Sequence, residues 1–205
     1  MTNNQFGVLL IFIGMLFFSV QDLLIKTIIL EVSLIQIIVF RSFFGFTMLS
    51  IFLYFTKRKI TIGSSYPLVA FFRGGLFFFG FTLFYIAVSK ITIAEATSLF
   101  FISPFFMTIL SRVILKNPIG LNRVFAIIVG FLGTLLIVKP EFDTLNIYMI
   151  LPMICAFTYS ISMILAKLTS DKDSLFQQTF HIYLGAFVVG SLVYLFLNAF
   201  PNIGS

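Results

Sequence analysis

FGVLLIFIGMLFFSVQDLLI, residues Phe6–Ile25, carries a single charged side chain, Asp22. A helix rises 1.5 Å per residue, so a run of ~20 mostly apolar residues bridges the ~30 Å hydrocarbon core of a bilayer. The apolar residues are continuous and do not alternate, which predicts a helix. A lipid-exposed open sheet would leave backbone groups unpaired. The first Lys or Arg is Lys26. With no basic leader before the apolar stretch and no small-residue cleavage site, the segment reads as a retained first span and not as a signal peptide.

Six more runs of this kind follow: Leu34–Phe55, Pro67–Val88, Ala94–Leu115, Val124–Val138, Ile147–Ala166 and Gln178–Leu197. The fifth is short and can begin within Gly120–Arg123. Only 10% of the 205 residues are charged and 60% are hydrophobic. A soluble domain carries about 25% charged residues, so no water-facing surface could be built from this composition. The expected class is an all-α membrane protein, a polytopic helical bundle of about seven transmembrane helices. The net charge of +6 is scattered between apolar runs. It forms no dense basic block for nucleic acid. Cys155 is the only cysteine, so no intramolecular disulfide and no cysteine metal spacing exist, and it reads as a small buried hydrophobe.

The loops predict the orientation. Lys57, Arg58 and Lys59, then Arg112, Lys116 and Arg123, then Lys167 and Lys172 fall on one side. The other side holds Lys26, Lys90 and Lys139 with Glu31, Glu141 and Asp143. Positive residues stay inside, which puts the N-terminus in the cytoplasm and residue 205 outside. Shifting the chain by 141 residues lays Ser19 on Ser160, Lys26 on Lys167, Ser33–Gln36 on Ser174–Gln177 and Ser50 on Ser191. Five spans separate the copies, so they enter the membrane from opposite faces, as in the inverted repeats of secondary transporters. The expectation is a 5+5 inverted-repeat fold: residues 1–140 form a first five-helix repeat and residues 141–205 the first two helices of a second, truncated one.

Several segments resemble the drug/metabolite transporter superfamily, specifically its EamA-like domains. They are FFSVQDLLIK at Phe17–Lys26, FRSFFGF at Phe40–Phe46, RGGLFFFGFTLFYIAV at Arg73–Val88, AEATSLFFISPFF at Ala94–Phe106 and GFLGTLLIVKP at Gly130–Pro140. The resemblance implies a ten-helix carrier in a bacterial inner membrane. The Arg-Gly of span three and the Ala-Glu-Ala-Thr entry to span four look most like importers of riboflavin or S-adenosylmethionine. One departure stands out. Many such domains end span four with Gly-Glu, whereas Lys116-Asn117 stands here, which puts any gating role of that Glu in doubt.

Charges inside a span are costly and point to function. Asp22 reads as a substrate or coupling-proton site, or as an i,i+4 partner of Lys26. Arg41, about two turns into span two, can fork onto a carboxylate or phosphate or hold Asp22 as a structural ion pair. Arg73 in span three binds substrate or snorkels to the inner headgroups. Glu95 opens span four, where a carboxylate also complements the helix dipole. Ser103-Pro104 breaks a backbone hydrogen bond in mid-span and either faces a cavity or merely kinks the packing. Tyr159, with Ser160 and Ser162, occupies the repeat position of the polar stretch in span one. His181, the only histidine, reads as a proton relay or as a helix–helix hydrogen bonder. Gln177 and Gln178 read as interfacial. Glycines 74, 75, 80, 130 and 133, and the pairs Ala126/Gly130 and Ala186/Gly190, read as close-approach sites.

The expected function is alternating-access transport of a small organic metabolite. A membrane-embedded enzyme would need a nucleophile, base or metal constellation, and no HExxH, GxSxG, CxxC or phosphate loop is present. A non-transporting membrane subunit, or a fragment, is the other reading. No cofactor is expected. The expected partners are a small-molecule substrate and the lipid bilayer, with a homodimer left open, and no nucleic acid.

Overall fold

A computed structural model describes residues 3–55, 63–138 and 147–199. Lys57, Arg58 and Lys59, together with Lys139, Pro140, Glu141 and Asp143, lie outside the described residues. The described residues form eight α-helices: α1 (Asn3–Ile28), α2 (Leu34–Phe55), α3 (Pro67–Val88), α4 (Ile93–Phe100), α5 (Ser103–Leu115), α6 (Leu121–Val138), α7 (Ile150–Thr169) and α8 (Leu175–Ala199). A single 3₁₀ turn, Ile147–Met149, leads into α7. Six helical stretches, with α4 and α5 taken as one, have the length and apolar character to cross a membrane, and α6 holds a shorter apolar helix, Val124–Leu136. The chain is a polytopic helical membrane protein.

Local chemistry sets the helix ends. Pro67 sits in the first turn of α3, where a missing N–H costs nothing. Thr92 caps α4, and the fourth span is broken at Phe101–Ile102 with Pro104 in the first turn of α5. The span expected as one helix is therefore two, because proline cannot donate into the ladder of the preceding turn. Ser174 and Gln177 cap α8 reciprocally. Ser174 N donates to Gln177 Oε1 (2.7 Å) and Gln177 N donates to Ser174 Oγ (3.3 Å), the Ser-x-x-Gln capping box. The α5 C-cap is Lys116 at φ 54°, ψ 24°, the left-handed conformation that glycine usually supplies. The residue that departs from the Gly-Glu pattern therefore occupies a position whose backbone suits glycine.

The shift of 141 residues also relates helix ends. Ile28, the last residue of α1, maps to Thr169, the last of α7, and Leu34, the first of α2, maps to Leu175, the first of α8. The related helices α2 and α8 pack on each other.

α3 lies at the centre, against α7 and α8, with α2 packed along α8 and also touching α3, and α5 on α7. α6 covers α4 and α5, and α1 meets the bundle mainly at α3. The core gathers Ile38, Phe78, Phe81, Phe84, Tyr85, Val88, Ala96, Cys155 and Ala186. Large apolar residues of α1, including Phe12, Leu16 and Phe17, stay exposed, as suits side chains that face lipid.

Small residues bring the central helices together, but not all those expected. A Cβ on Gly74 would lie 2.6 Å from Gly185 Cα, and one on Gly80 would lie 2.5 Å from Thr158 Oγ1. One on Gly190 would meet the Phe78 ring at 2.8 Å, and one on Gly45 the Tyr183 ring at 2.7 Å. Gly75, Gly130 and Gly133 face open space. The Ala126/Gly130 pair therefore seats no close partner at its glycine, because α6 lies at the outside of the bundle.

Cys155 is buried, so its reaction with a thiol-sensitive dye reports unfolding in detergent. Gly74→Ala should lower the melting temperature, by a destabilisation of about 1–3 kcal/mol from overpacking a helix crossing. Gly75→Ala should leave it unchanged. Equal effects would refute the crossing. Lys116→Gly should raise the same melting temperature. It relieves roughly 1–2 kcal/mol of left-handed strain against about 0.4–1 kcal/mol of added unfolded-chain entropy.

Candidate functional site

Two polar clusters sit at opposite ends of α3, with a small aromatic cavity between them. At the C-terminal end of α3, the Tyr85 phenol is fully buried and joins three helices. Its hydroxyl donates to Asp22 Oδ1 of α1 (2.9 Å). It accepts from Arg41 Nη1 of α2 (3.0 Å) and from Gln21 Nε2 (3.3 Å). A hydroxyl has one proton to give and two lone pairs, so this one is fully used. Asp22 and Arg41, expected separately from the sequence, are brought together, but through the phenol. Lys26 does not turn to Asp22. Its Nζ donates to the Ile91 carbonyl (3.2 Å), because the α3–α4 turn lies within reach.

Arg41 is also walled by aromatic rings. Its guanidinium carbon lies 4.8 Å from the Phe81 ring centre, 5.5 Å from Phe77, 5.6 Å from Phe18 and 6.0 Å from Tyr85. Such rings stabilise a cation by ~1–2 kcal/mol where water is displaced.

Phe77 and Phe81 form one wall of a cavity of about 60 Å³ between α3, α7 and α8. Its other walls include Cys155, Thr158, Tyr159 and Ser162. Tyr159 stacks at a tilt on Phe100, with centroids 5.4 Å apart. Ser103 is buried beside α7, and its contribution is a backbone one: Ser160 Oγ shares its proton between the Ser103 carbonyl (3.0 Å) and its own Ala156 carbonyl (2.6 Å). The break before Pro104 thus packs against α7.

At the N-terminal end of α3, Arg73 is only 3% exposed. It does not snorkel. Its Nε donates to the Ser162 carbonyl of α7 (3.1 Å) and its Nη1 to Gln178 Oε1 of α8 (3.0 Å). Gln178 Nε2 donates in turn to the Asp173 carbonyl (3.0 Å). Asp173 accepts from Ser64 Oγ, and from Ser65 N at 2.8 Å. Gln177 Nε2 donates to the Gly63 carbonyl (2.8 Å). Gln177 and Gln178 are therefore buried junction residues, Gln177 bonded to Gly63 and Gln178 to Arg73 and Asp173. The junction ties the entry to α3 to the α7–α8 turn. Burial opposes ionisation of Asp173. The Ser64 and Ser65 hydrogen bonds and the field of His181 outweigh it and hold the carboxyl below its ordinary value of 3.8.

The remaining expected residues lie apart. Glu95 closes a capping box at α4: Thr92 N and Thr92 Oγ1 each donate to its Oε2 at 2.8 Å, and its own N donates to Thr92 Oγ1 at 3.1 Å. It also lines an open cleft of about 410 Å³ with Lys26 and Lys90. His181 Nδ1 donates to its own helix at the Gln177 carbonyl (2.8 Å), so this bond does not join helices. Sequence reasoning missed Tyr85, Ser64 and Asp173. A tyrosine near the end of an apolar run resembles an ordinary interfacial anchor, and Asp173 lies in a polar turn, where acids are common. Only the fold shows that each one joins separate helices.

Charged residues buried at both ends of a central helix, around an aromatic cavity, define a polytopic membrane bundle built around a polar interior. The chain belongs to the EamA-like transporter family, whose model matches residues 5–139. It is 28% identical over 163 residues to an S-adenosylmethionine uptake transporter of Rickettsia bellii, covering 80% of this chain and 56% of that one. It is 32% identical over 94 residues to a riboflavin transporter of Vibrio cholerae, covering 46% and 31% respectively. It is 24% identical over 184 residues to the pseudopaline exporter CntI of Pseudomonas aeruginosa, covering 89% and 64%. The chain thus spans about half the length of the first of these relatives. No solved structure matches it.

A carboxyl whose folded-state value is depressed stabilises the fold above its unfolded value, and that contribution disappears as pH falls through the folded value. Asp173→Asn should therefore lower the melting temperature at pH 7. The gap to the parent should begin to narrow below about pH 4 and close only once pH has fallen through the depressed folded value, where both carry a neutral side chain. A gap that stays constant from pH 7 down to about pH 3 would show that the Asp173 charge does not hold the junction.

Proposed function

We propose that this chain carries a small organic metabolite across a bacterial inner membrane by alternating access. The substrate site lies between the Tyr85 cluster and the aromatic cavity, with Asp22, Arg41 and Tyr159 as its principal contacts. The observation that supports this most is the Asp22–Tyr85–Arg41 cluster. Keeping a carboxylate and a guanidinium at membrane depth is expensive, and a chain retains such groups where they serve a pathway. The cavity of about 60 Å³ is far below the ~300–1,000 Å³ of a metabolite site. A metabolite would therefore need this cavity to widen as the helices around it move.

The Arg73–Gln178–Asp173 junction acts as the gate at the other end. It crosses between segments far apart in the chain, and its hydrogen bonds must break for that end to open. The positive-inside rule supports a cytoplasmic position for this junction, since Lys116, Lys167 and Lys172 flank that end of the bundle. The coincident ends of α1 with α7 and of α2 with α8 support residues 1–140 and 141–205 as parts of two inverted repeats. Similarity to uptake transporters for S-adenosylmethionine and riboflavin makes these two the first solutes to examine. Glu95 and His181 are secondary candidates, one lining the outer cleft and the other beside the gate. The chain works as a carrier and not as an enzyme, and a homodimer is compatible with its exposed α1.

In proteoliposomes containing the purified chain, labelled S-adenosylmethionine or riboflavin should enter with saturable kinetics. Asp22→Asn and Arg41→Ala should each lower the initial rate by about tenfold or more, the size expected when one partner of a buried charged hydrogen bond is lost. Quantitative blotting should show that both variants reach the bilayer. Unchanged rates in both would remove these residues from the site, and no saturable flux of any solute would remove the carrier reading.

A further inference from the structure

We propose that the cleft of about 410 Å³ at the end of α3 remote from Arg73 holds the phosphate of an anionic phospholipid between Lys26 and Lys90. The proposal is independent of the carrier reading. Lys26 lies in the last turn of α1, Lys90 in the turn that follows α3, and Glu95 in the first turn of α4. The apolar spans to which these helices belong run to Ile28, to Val88 and from Ile93. The cleft therefore lies where three spans reach the edge of the hydrocarbon, at the depth of the lipid headgroups.

Its volume falls within the ~300–1,000 Å³ of a ligand site, and its unspent donors belong to the two lysines. Ser89 Oγ gives its proton to the Ile86 carbonyl (2.7 Å), and Thr92 Oγ1 donates to Glu95 Oε2 (2.8 Å). The backbone N–H groups of Ser89, Lys90 and Ile91 are spent within the turn, and that of Thr92 on Glu95. A lysine ammonium has three N–H groups. Lys26 Nζ uses one, on the Ile91 carbonyl at 3.2 Å, which holds its head at the cleft. Lys90 is exposed, and its Nζ lies 6.0 Å from the centre of the Tyr148 ring. Among the described residues, neither lysine is paired with a carboxylate.

Charge selects the ligand. Among the described lining residues, Lys26 and Lys90 stand against Glu95 alone, which leaves one positive charge uncompensated. A singly charged phosphodiester neutralises it, and its two free oxygens can accept from both ammonium groups at once. A zwitterionic lipid brings no net charge and leaves the excess standing. Apolar side chains border the cleft. Leu23 precedes Lys26 by one turn on the same face of α1, and Ile150 follows the lining residue Met149; both are exposed. They offer acyl chains a path that a soluble phosphate ester has no use for. A phosphate held by both lysines also links α1 to the α3–α4 turn, where α1 is otherwise joined by the Lys26–Ile91 bond.

The test counts lipids bound to the full chain by native mass spectrometry, with phosphatidylglycerol or phosphatidylethanolamine of matched acyl chains titrated into micelles of a neutral detergent. Phosphatidylglycerol should bind more tightly, by about fivefold or more. That is ~1 kcal/mol, the attraction of one basic residue near a bilayer surface for anionic lipid. Lys26→Gln and Lys90→Gln should each reduce this preference by about fivefold. Lys167→Gln, which alters an exposed lysine in the last turn of α7, should leave it unchanged. Glycerol 3-phosphate, which carries the phosphate without acyl chains, should not displace the lipid.

Lys26→Gln also removes a contact between helices, so Lys90→Gln, which loses no side-chain hydrogen bond among the described residues, decides the matter if Lys26→Gln does not fold. Equal binding of the two lipids overturns the proposal. So does a loss of preference in Lys167→Gln as large as that in Lys90→Gln, since the effect would then be one of general surface charge. Displacement by glycerol 3-phosphate would assign the cleft to a soluble phosphate ester and overturn the lipid as its occupant.

Discussion

A charged side chain in hydrocarbon has no solvent to fall back on, and the interior of this bundle is arranged around that constraint. Asp22, Arg41 and Arg73 are each placed where other groups can take over the role of water. Tyr85 serves the first two with one hydroxyl, and an α7 carbonyl and the Gln178 amide serve the third. The aromatic residues around Arg41 add polarisable surface where water would otherwise sit. Because these contacts join α1, α2, α3, α7 and α8, the polar groups hold the helices in register. Lipid-facing apolar surface cannot do this, since lipid is as good a partner for it as protein.

α3 can hold the centre because its surface is small where it must be. Gly74 meets Gly185 backbone to backbone, and Gly80 admits Thr158. These approaches bring Arg73 within reach of α7 and α8 and set Phe77 and Phe81 against the cavity. The end of the bundle around Arg73 is tied by hydrogen bonds between short polar segments, whereas the cleft of Lys26 and Glu95 lies at the other end of α3, beyond Val88. The two ends differ in kind: at one, Arg73 and Asp173 are held by backbone, amide and hydroxyl groups, and at the other Asp22 and Arg41 meet on one phenol under aromatic cover.

Much of the helical layout was legible because it depends on local properties. Continuous apolar runs and the mid-span Pro104 act within a turn or two of themselves. The break at Phe101–Ile102 follows from Pro104, although its consequence, Ser103 facing Ser160, does not. Gly75 and Gly74 are adjacent and chemically identical, and only one lies at a crossing. The rotation of α3 about its axis decides between them, and that is set by α8. For the same reason Arg73 read as either a substrate contact or a snorkelling residue: its distance from the helix end was visible, and the direction of its side chain was not.

Membrane character, span positions and the 141-residue correspondence belong to the sequence by itself, because they can be read along the chain from runs of neighbouring residues and the thickness of a bilayer. Family resemblance was legible for the same reason, as a string of local motifs. The union of Asp22 and Arg41 on Tyr85, the burial of Gln178 and the junction of Ser64 with Asp173 were decided only by tertiary structure. They are meetings between residues 44 to 109 positions apart, and in lipid such meetings depend on which helix faces turn inward, a choice made by packing and polar satisfaction across the whole bundle.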